Sequence, residues 1–138
     1  MDTCIFCKIA AGEIPSKTVY EDEEFRAILD ISPASEGHVL ILPKKHAADL
    51  FELPEETASR VLVLAKKLAT AMKKSLGFPA LKIVQNNGAL AGQTVMHYHL
   101  HLIPCYNGSE VTDWKPLEMQ DATLTAIRDK IVGAMSEG

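Results

Sequence analysis

Apolar residues in this chain recur at two different spacings, and the change from one to the other marks out its elements. Between Pro54 and Gly77, Ala58, Val61, Leu62, Ala65, Leu68, Ala69, Met72 and Leu76 follow one another at helical intervals, which predicts one long helix with an apolar stripe. Pro54 suits the first helical position, and Gly77 followed by Pro79 stops the helix. Its other side carries Arg60, Lys66, Lys67, Lys73 and Lys74, the composition of a solvated face. Short apolar runs predict strands over 18–20 and 25–29, joined as a hairpin through the acidic turn Glu21-Asp22-Glu23-Glu24. The run His38-Val39-Leu40-Ile41-Leu42-Pro43 is too apolar to keep one face wet, so it predicts a strand in the middle of the sheet. Two more strands are predicted over 80–85 and 95–104, separated by a polar loop over 86–94 that contains Gly88 and Gly92. A short helix over 5–11 ends at Gly12, and a last helix is predicted over 123–135, beyond a tail that holds the only tryptophan, Trp114.

The predicted strand over 95–104 contains His97-Tyr98-His99-Leu100-His101. Successive side chains on a strand point to opposite faces, so the three imidazoles share one face and Tyr98, Leu100 and Leu102 the other. The second set is a core face. The first packs badly, because each ring has two nitrogens that need partners. Besides plain burial, two functional readings are open. His-X-His on a strand can place two nitrogens on one zinc. Alternatively, a neutral imidazole can attack phosphorus while its neighbours arrange charge and protons. At the start of the chain, Cys4-X-X-Cys7 is either a redox pair or half of a metal site; a redox motif of this kind follows a strand, and none is predicted before it.

With 138 residues, 47% of them hydrophobic, the chain has the size of one globular domain. A formal net charge of -4, with no run of Lys or Arg longer than a pair, argues against a surface for duplex nucleic acid. Any phosphate handled here is therefore small and held locally. No basic region followed by an apolar run opens the sequence, and no segment is long and apolar enough to span a bilayer. Three cysteines, Cys4, Cys7 and Cys105, form no even disulfide framework. These features predict a soluble protein of the reducing cytoplasm with no membrane partner.

Four separated stretches then carry a resemblance. Asp30-Ile31-Ser32-Pro33, Gly37-His38-Val39-Leu40-Ile41-Leu42-Pro43-Lys44, Ala91-Gly92-Gln93-Thr94-Val95 and His97-Tyr98-His99-Leu100-His101 resemble, in this order and spacing, the histidine-triad (HIT) family. Within it the chain looks most like the bacterial HIT hydrolases related to histidine-triad nucleotide-binding proteins. The resemblance covers 4–106 and leaves 107–138 as a tail and helix of one domain, 1–138. It implies an α+β, HIT-like fold: an antiparallel sheet of about five strands with a long helix and a C-terminal helix, the sheets running continuously across a homodimer. The implied activity is hydrolysis or transfer at the α-phosphate of purine nucleotide derivatives, of the nucleoside phosphoramidate or adenylate type, with AMP as a typical product. A dinucleoside polyphosphate hydrolase and a nucleotide-binding module with little turnover are the alternatives.

Carried over position by position, the resemblance makes His99 the nucleophile that becomes nucleotidylated, with His101 and His38 flanking the phosphate. Gln93 and Thr94, next to Gly92, and Asn86 donate to phosphoryl and bridging oxygens. Asp30 accepts the ribose hydroxyls, or simply caps the turn at Ser32. Phe6, Ile9, Ile28, Ile31 and Leu40 match base-pocket positions, although by pattern they read as ordinary core. HIT relatives that keep the two cysteines imply a structural zinc on Cys4, Cys7, His46 and His97, with no catalytic metal required. Ala91 and Thr94 stand where many relatives have glycine and serine; Thr94 keeps the hydroxyl on a stiffer side chain.

Overall fold

The computed structural model of the chain describes residues 3–110 and 115–136, so Trp114 lies outside the described residues. Its elements are α1 (Ile5–Ala10), β1 (Thr18–Glu21), β2 (Phe25–Leu29), β3 (Val39–Pro43), α2 (Glu55–Leu76), β4 (Ala80–Val84), β5 (Leu100–Cys105) and α3 (Asp121–Met135). The strands form one antiparallel sheet in the order β1-β2-β3-β5-β4. As its composition requires, β3 is the middle strand and is buried along its whole length.

The two faces of the sheet have different covers. On one, Val61, Leu64, Ala65 and Leu68 of α2 pack with Phe25, Ala27, Val39, Ile41, Tyr98, Leu100 and Leu102. Burying each large aliphatic side chain there contributes roughly 1.5–3 kcal/mol, which makes this layer the main source of stability. On the other face Ala10, Ile28, Leu40 and Leu42 form a smaller cluster, covered by Phe6 and Ile9 of α1. That cover is partial, because α1 spans only 6 residues. The open remainder of this face is where the site lies.

Several boundaries differ from expectation. Pro54 precedes α2 as its N-cap, with its carbonyl accepting the first helical bond from Ala58. The buried stripe runs through Val61, Leu64, Ala65 and Leu68, while Leu62 and Leu76 are exposed. Leu62 sits about 100° around the helix from Val61, so it cannot share the sheet-facing side. The histidine strand begins at Leu100, not at residue 95: only Leu100, His101 and Leu102 pair with β3, and the Tyr98 amide donates to Ala47 instead. The last helix starts at Asp121, and each of its residues is exposed.

The β1–β2 ladder contains an irregularity that reappears below. Thr18 pairs with Ile28, but Tyr20 pairs with Ala27, so one extra residue, Val19, lies between them. This bulge reverses the parity of β1. Thr18 shares the α1 face with Ile28, whereas Tyr20, two residues on, packs with the α2 core.

Candidate active site and metal centre

Alternation places His99 and His101 opposite Tyr98, Leu100 and Leu102, as the sequence predicts, even though His99 precedes the ladder. Both rings open onto a cavity of about 460 Å³. Its walls include Phe6 and Ile9 of α1, Ile28 and Asp30 at the end of β2, Leu40 of β3, Ile31 and Thr94. Ile5, Ile14, Pro15, Ser16, Leu29 and Ser32 also line it, and were not anticipated. The Ile14-Pro15 pair after α1 is the one signal that could have suggested part of this wall, since it fixes how the chain leaves the helix. Ile31 is 94% exposed and therefore forms a rim, not core.

Donor directions fix the protonation pattern of the rings. Nδ1 of His99 lies 2.7 Å from the His97 carbonyl, which only accepts, so Nδ1 carries the hydrogen and the neutral ring has its lone pair on Nε2. The amide of Ala34, which only donates, points at Nδ1 of His38 (3.0 Å). The His38 hydrogen is therefore on Nε2 and is given to Nδ1 of His101, 3.0 Å away. His101 in turn carries its own hydrogen on Nε2. Burial, with His99 and His38 alongside, pushes His101 down to about 4. Burial also lowers His38, against the upward pull of Asp30. Two neutral rings in series beside one free imidazole lone pair can hold an anion, attack it and move a proton.

Asp30 does two jobs. Oδ1 accepts the Ser32 amide at 2.8 Å, closing the turn, while Oδ2 lies 3.7 Å from His38 Nε2. Gln93 departs from its expected role as a phosphoryl donor. Its Nε2 donates to the Ala48 and Val95 carbonyls (2.6 and 2.9 Å), and its Oε1 accepts the Gly88 amide (2.8 Å). With both amide hydrogens given to backbone carbonyls, this side chain shapes the loop and has no donor left for a phosphoryl oxygen. Asn86 likewise stands outside the cavity wall, against Gly92, whose φ of +98° suits glycine.

Cys4, Cys7, His46 and His97 bring four ligand atoms together. Sγ of Cys7 is 3.2 Å from His46 Nδ1 and 3.4 Å from His97 Nδ1; Sγ of Cys4 is 3.4 Å from His97 Nδ1; the two Nδ1 atoms are 3.3 Å apart. A zinc tetrahedron with ordinary bond lengths has S···N edges of about 3.5 Å and an N···N edge of about 3.3 Å. The tautomer agrees. Nε2 of His97 donates to the Pro43 carbonyl at 2.7 Å, leaving the Nδ1 lone pair directed into the cluster. Burial, together with the adjacent Cys4, pushes the Cys7 thiol up to about 11, a cost that a bound cation removes. The residues therefore fit zinc. A second cluster, Asp30, His38 and His101, does not fit. His38 already accepts at Nδ1, so ligating through Nε2 would strip the ring of both hydrogens.

Phe6, between the two cysteines in sequence, meets the His99 ring edge-on at 4.9 Å and the His97 ring at 6.2 Å. The same short helix thus walls the cavity and carries half of the cluster.

Compared with known protein families, residues 11–108 match the HIT domain model. The chain belongs to the HIT family. An uncharacterised HIT-like protein of Methanocaldococcus jannaschii is 50% identical, over 94% of this chain and 99% of the relative. The adenosine 5′-monophosphoramidase of Saccharomyces cerevisiae is 48% identical, over 73% of this chain and 61% of the relative. Among solved HIT structures, a HIT family protein from Bacillus anthracis superposes with a TM-score of 0.91 at 42% identity, covering 96% of this chain and 97% of the other. A zinc-bound histidine triad family protein from Mycobacterium smegmatis superposes with a TM-score of 0.75 at 33% identity, covering 99% of each chain. The five-stranded antiparallel sheet with its helices is therefore the HIT fold, as the sequence implied.

Proposed function

We propose that this HIT protein hydrolyses purine nucleotide derivatives at the α-phosphate, phosphoramidates and adenylates being the substrate class, through a covalent nucleotidyl-His99 intermediate. The observation that carries this reading is the locked tautomer of His99, whose unprotonated Nε2 stands in the wall of a cavity with apolar sides and an acid, Asp30, near the phosphate end. The yeast relative's name, an adenosine 5′-monophosphoramidase, supports the same class.

In the first displacement Nε2 of His99 bonds to the α-phosphorus and the bond to the leaving amine or acyl group breaks. The Nε2–H of neutral His101 hydrogen-bonds the phosphoryl and bridging oxygens, and the leaving group takes its proton from solvent. In the second, water attacks the phosphorus, the P–N bond to His99 breaks, and the proton released by the water returns to solvent. Thr94 borders the phosphate, and Asp30 Oδ2 is left to accept ribose hydroxyls. Zinc on Cys4, Cys7, His46 and His97 would supply a fixed cross-link between α1 and the catalytic segment. With four protein ligands it would offer no open position for catalysis.

Among the described residues the outer edges of β1 and β4 are unpaired and α3 is exposed throughout, which supports a homodimer whose sheets run continuously from one protomer to the next. Among the described residues no helix is long and apolar enough to cross a membrane, in keeping with a cytoplasmic location.

The test is intact-mass analysis after brief incubation with adenosine 5′-phosphoramidate. A nucleotidyl adduct is expected on the wild type and none on His99→Ala; an equal adduct on both proteins removes His99 from the mechanism.

A further inference from the structure

The floor of the cavity follows a row of paired residues across four strands, of which His101, Leu40 and Ile28 line it and Thr18 lies just beyond, next to Ser16. His101 faces Leu40, Leu40 faces Ile28, and Ile28 faces Thr18. With neighbouring strands about 4.8 Å apart, the row runs roughly 14 Å from His101 to Thr18. One end holds the reacting histidines. At the other, Ser16 lines the cavity, and its Oγ is 3.0 Å from Thr18 Oγ1.

That far end is built, and by three features together. The bulge at Val19 turns Thr18 onto the Ile28 face; in a regular ladder continued from Tyr20, Thr18 would point the same way as Tyr20, into the α2 core. Arg26 Nη1 donates to Thr18 Oγ1 at 3.2 Å while its Nη2 is held by Glu21 at 2.7 Å. A guanidinium has no acceptor, so the direction of this bond is fixed. A cation bonded to Oγ1 polarises the Thr18 hydroxyl, which makes it the better donor toward Ser16 and favours leaving the Ser16 hydrogen for the cavity. The other polar wall residues, Asp30, Ser32, Thr94, His99 and His101, belong to the ribose and phosphate end.

Resting on the nucleotide reading above, we propose that Ser16, held by Thr18 and Arg26, is a specificity-determining residue that donates a hydrogen bond to an acceptor on the edge of the purine base. With the phosphate at His99 and His101 and the ribose at Asp30, the base covers Leu40 and Ile28, and its far edge meets Ser16. Apolar walls accept any flat ring; a hydroxyl at this distance selects a ring long enough to reach it.

The experiment is calorimetric titration of the full chain with AMP and, separately, with ribose 5-phosphate, which lacks the base. Ser16→Ala should weaken AMP about 3- to 10-fold, the worth of one neutral hydrogen bond, and leave ribose 5-phosphate unchanged. Ser16→Thr, which keeps the hydroxyl, should hold AMP within about twofold of wild type. Unaltered AMP affinity in Ser16→Ala, or an equal loss for both ligands, overturns the assignment while leaving the nucleotide reading standing. A wild type that fails to bind AMP overturns both.

Discussion

The carbonyl of His97 takes the Nδ1 hydrogen of His99 at 2.7 Å, and the ring of that same His97 is one corner of the four-ligand cluster. One residue therefore serves two centres through different atoms. Its ring is fixed by the Pro43 carbonyl and the cluster, and its backbone sets the tautomer of the proposed nucleophile. Whatever loosens the ring also loosens the hydrogen bond that orients His99.

This linkage gives the first prediction. Purified protein should carry one zinc per chain, and Cys4→Ser should lower metal content to background while reducing the melting temperature by about 5 °C or more. Metal analysis and thermal denaturation check both parts. Unchanged metal content in Cys4→Ser would remove zinc from the cluster.

Substitution of His99 should separate binding from chemistry. His99→Ala is expected to lose about 10⁴-fold or more in kcat/KM on a phosphoramidate, yet bind AMP within about threefold of wild type, because the cavity walls remain. Steady-state kinetics beside titration calorimetry gives both numbers. A variant that loses binding as much as turnover would instead mark His99 as part of the binding surface.

Acid should destabilise the fold through the buried rings. His101 is pushed from 6.5 to about 4, so between these values the unfolded chain binds more protons than the folded one, and stability rises with pH. The contribution is complete above about pH 6.5 and is lost as pH falls toward 4; His38 and His97, lowered by burial, act in the same direction. Urea midpoints measured from pH 7 down to 4.5 should fall, and fall less steeply in His101→Asn.

Gly37 should tolerate no side chain. It has φ +89°, and a Cβ there would run into Leu76 Cδ1. Gly37→Ala should cost about 2 kcal/mol, from backbone strain at the positive φ together with rotation of the exposed Leu76 side chain. Because His38 follows directly, turnover should fall as well. Urea denaturation would show an unchanged midpoint if the turn can relax.

The sequence made much of this legible for a definite reason. Period-two alternation depends only on extended backbone, so it assigned His99 and His101 to the face opposite Tyr98 and Leu100 although the ladder begins only at Leu100. The apolar run of β3 announced a central strand for the same kind of reason, since both of its faces needed cover. What stayed hidden depends on partners far along the chain. Nothing local in Gln93 tells that its amide will be consumed by Ala48, Val95 and Gly88. Leu62 and Leu64 look alike in sequence, and only the side from which α2 meets the sheet decides which is buried. Nothing local to Ser16 tells that Thr18 will stand beside it at the cavity end, because that follows from the register of β1.

That register has a consequence for how such a protein can change. The additional residue at position 19 sits in an outermost strand, three strands away from the histidines. Deleting that residue would heal the bulge and leave Thr18 on the Ile28 face and Tyr20 on the other, while the ladders among β2, β3, β5 and β4 keep their partners. Selectivity and reactivity are thereby built on separate strands, and a lineage can exchange side chains on the outer one without disturbing the histidines.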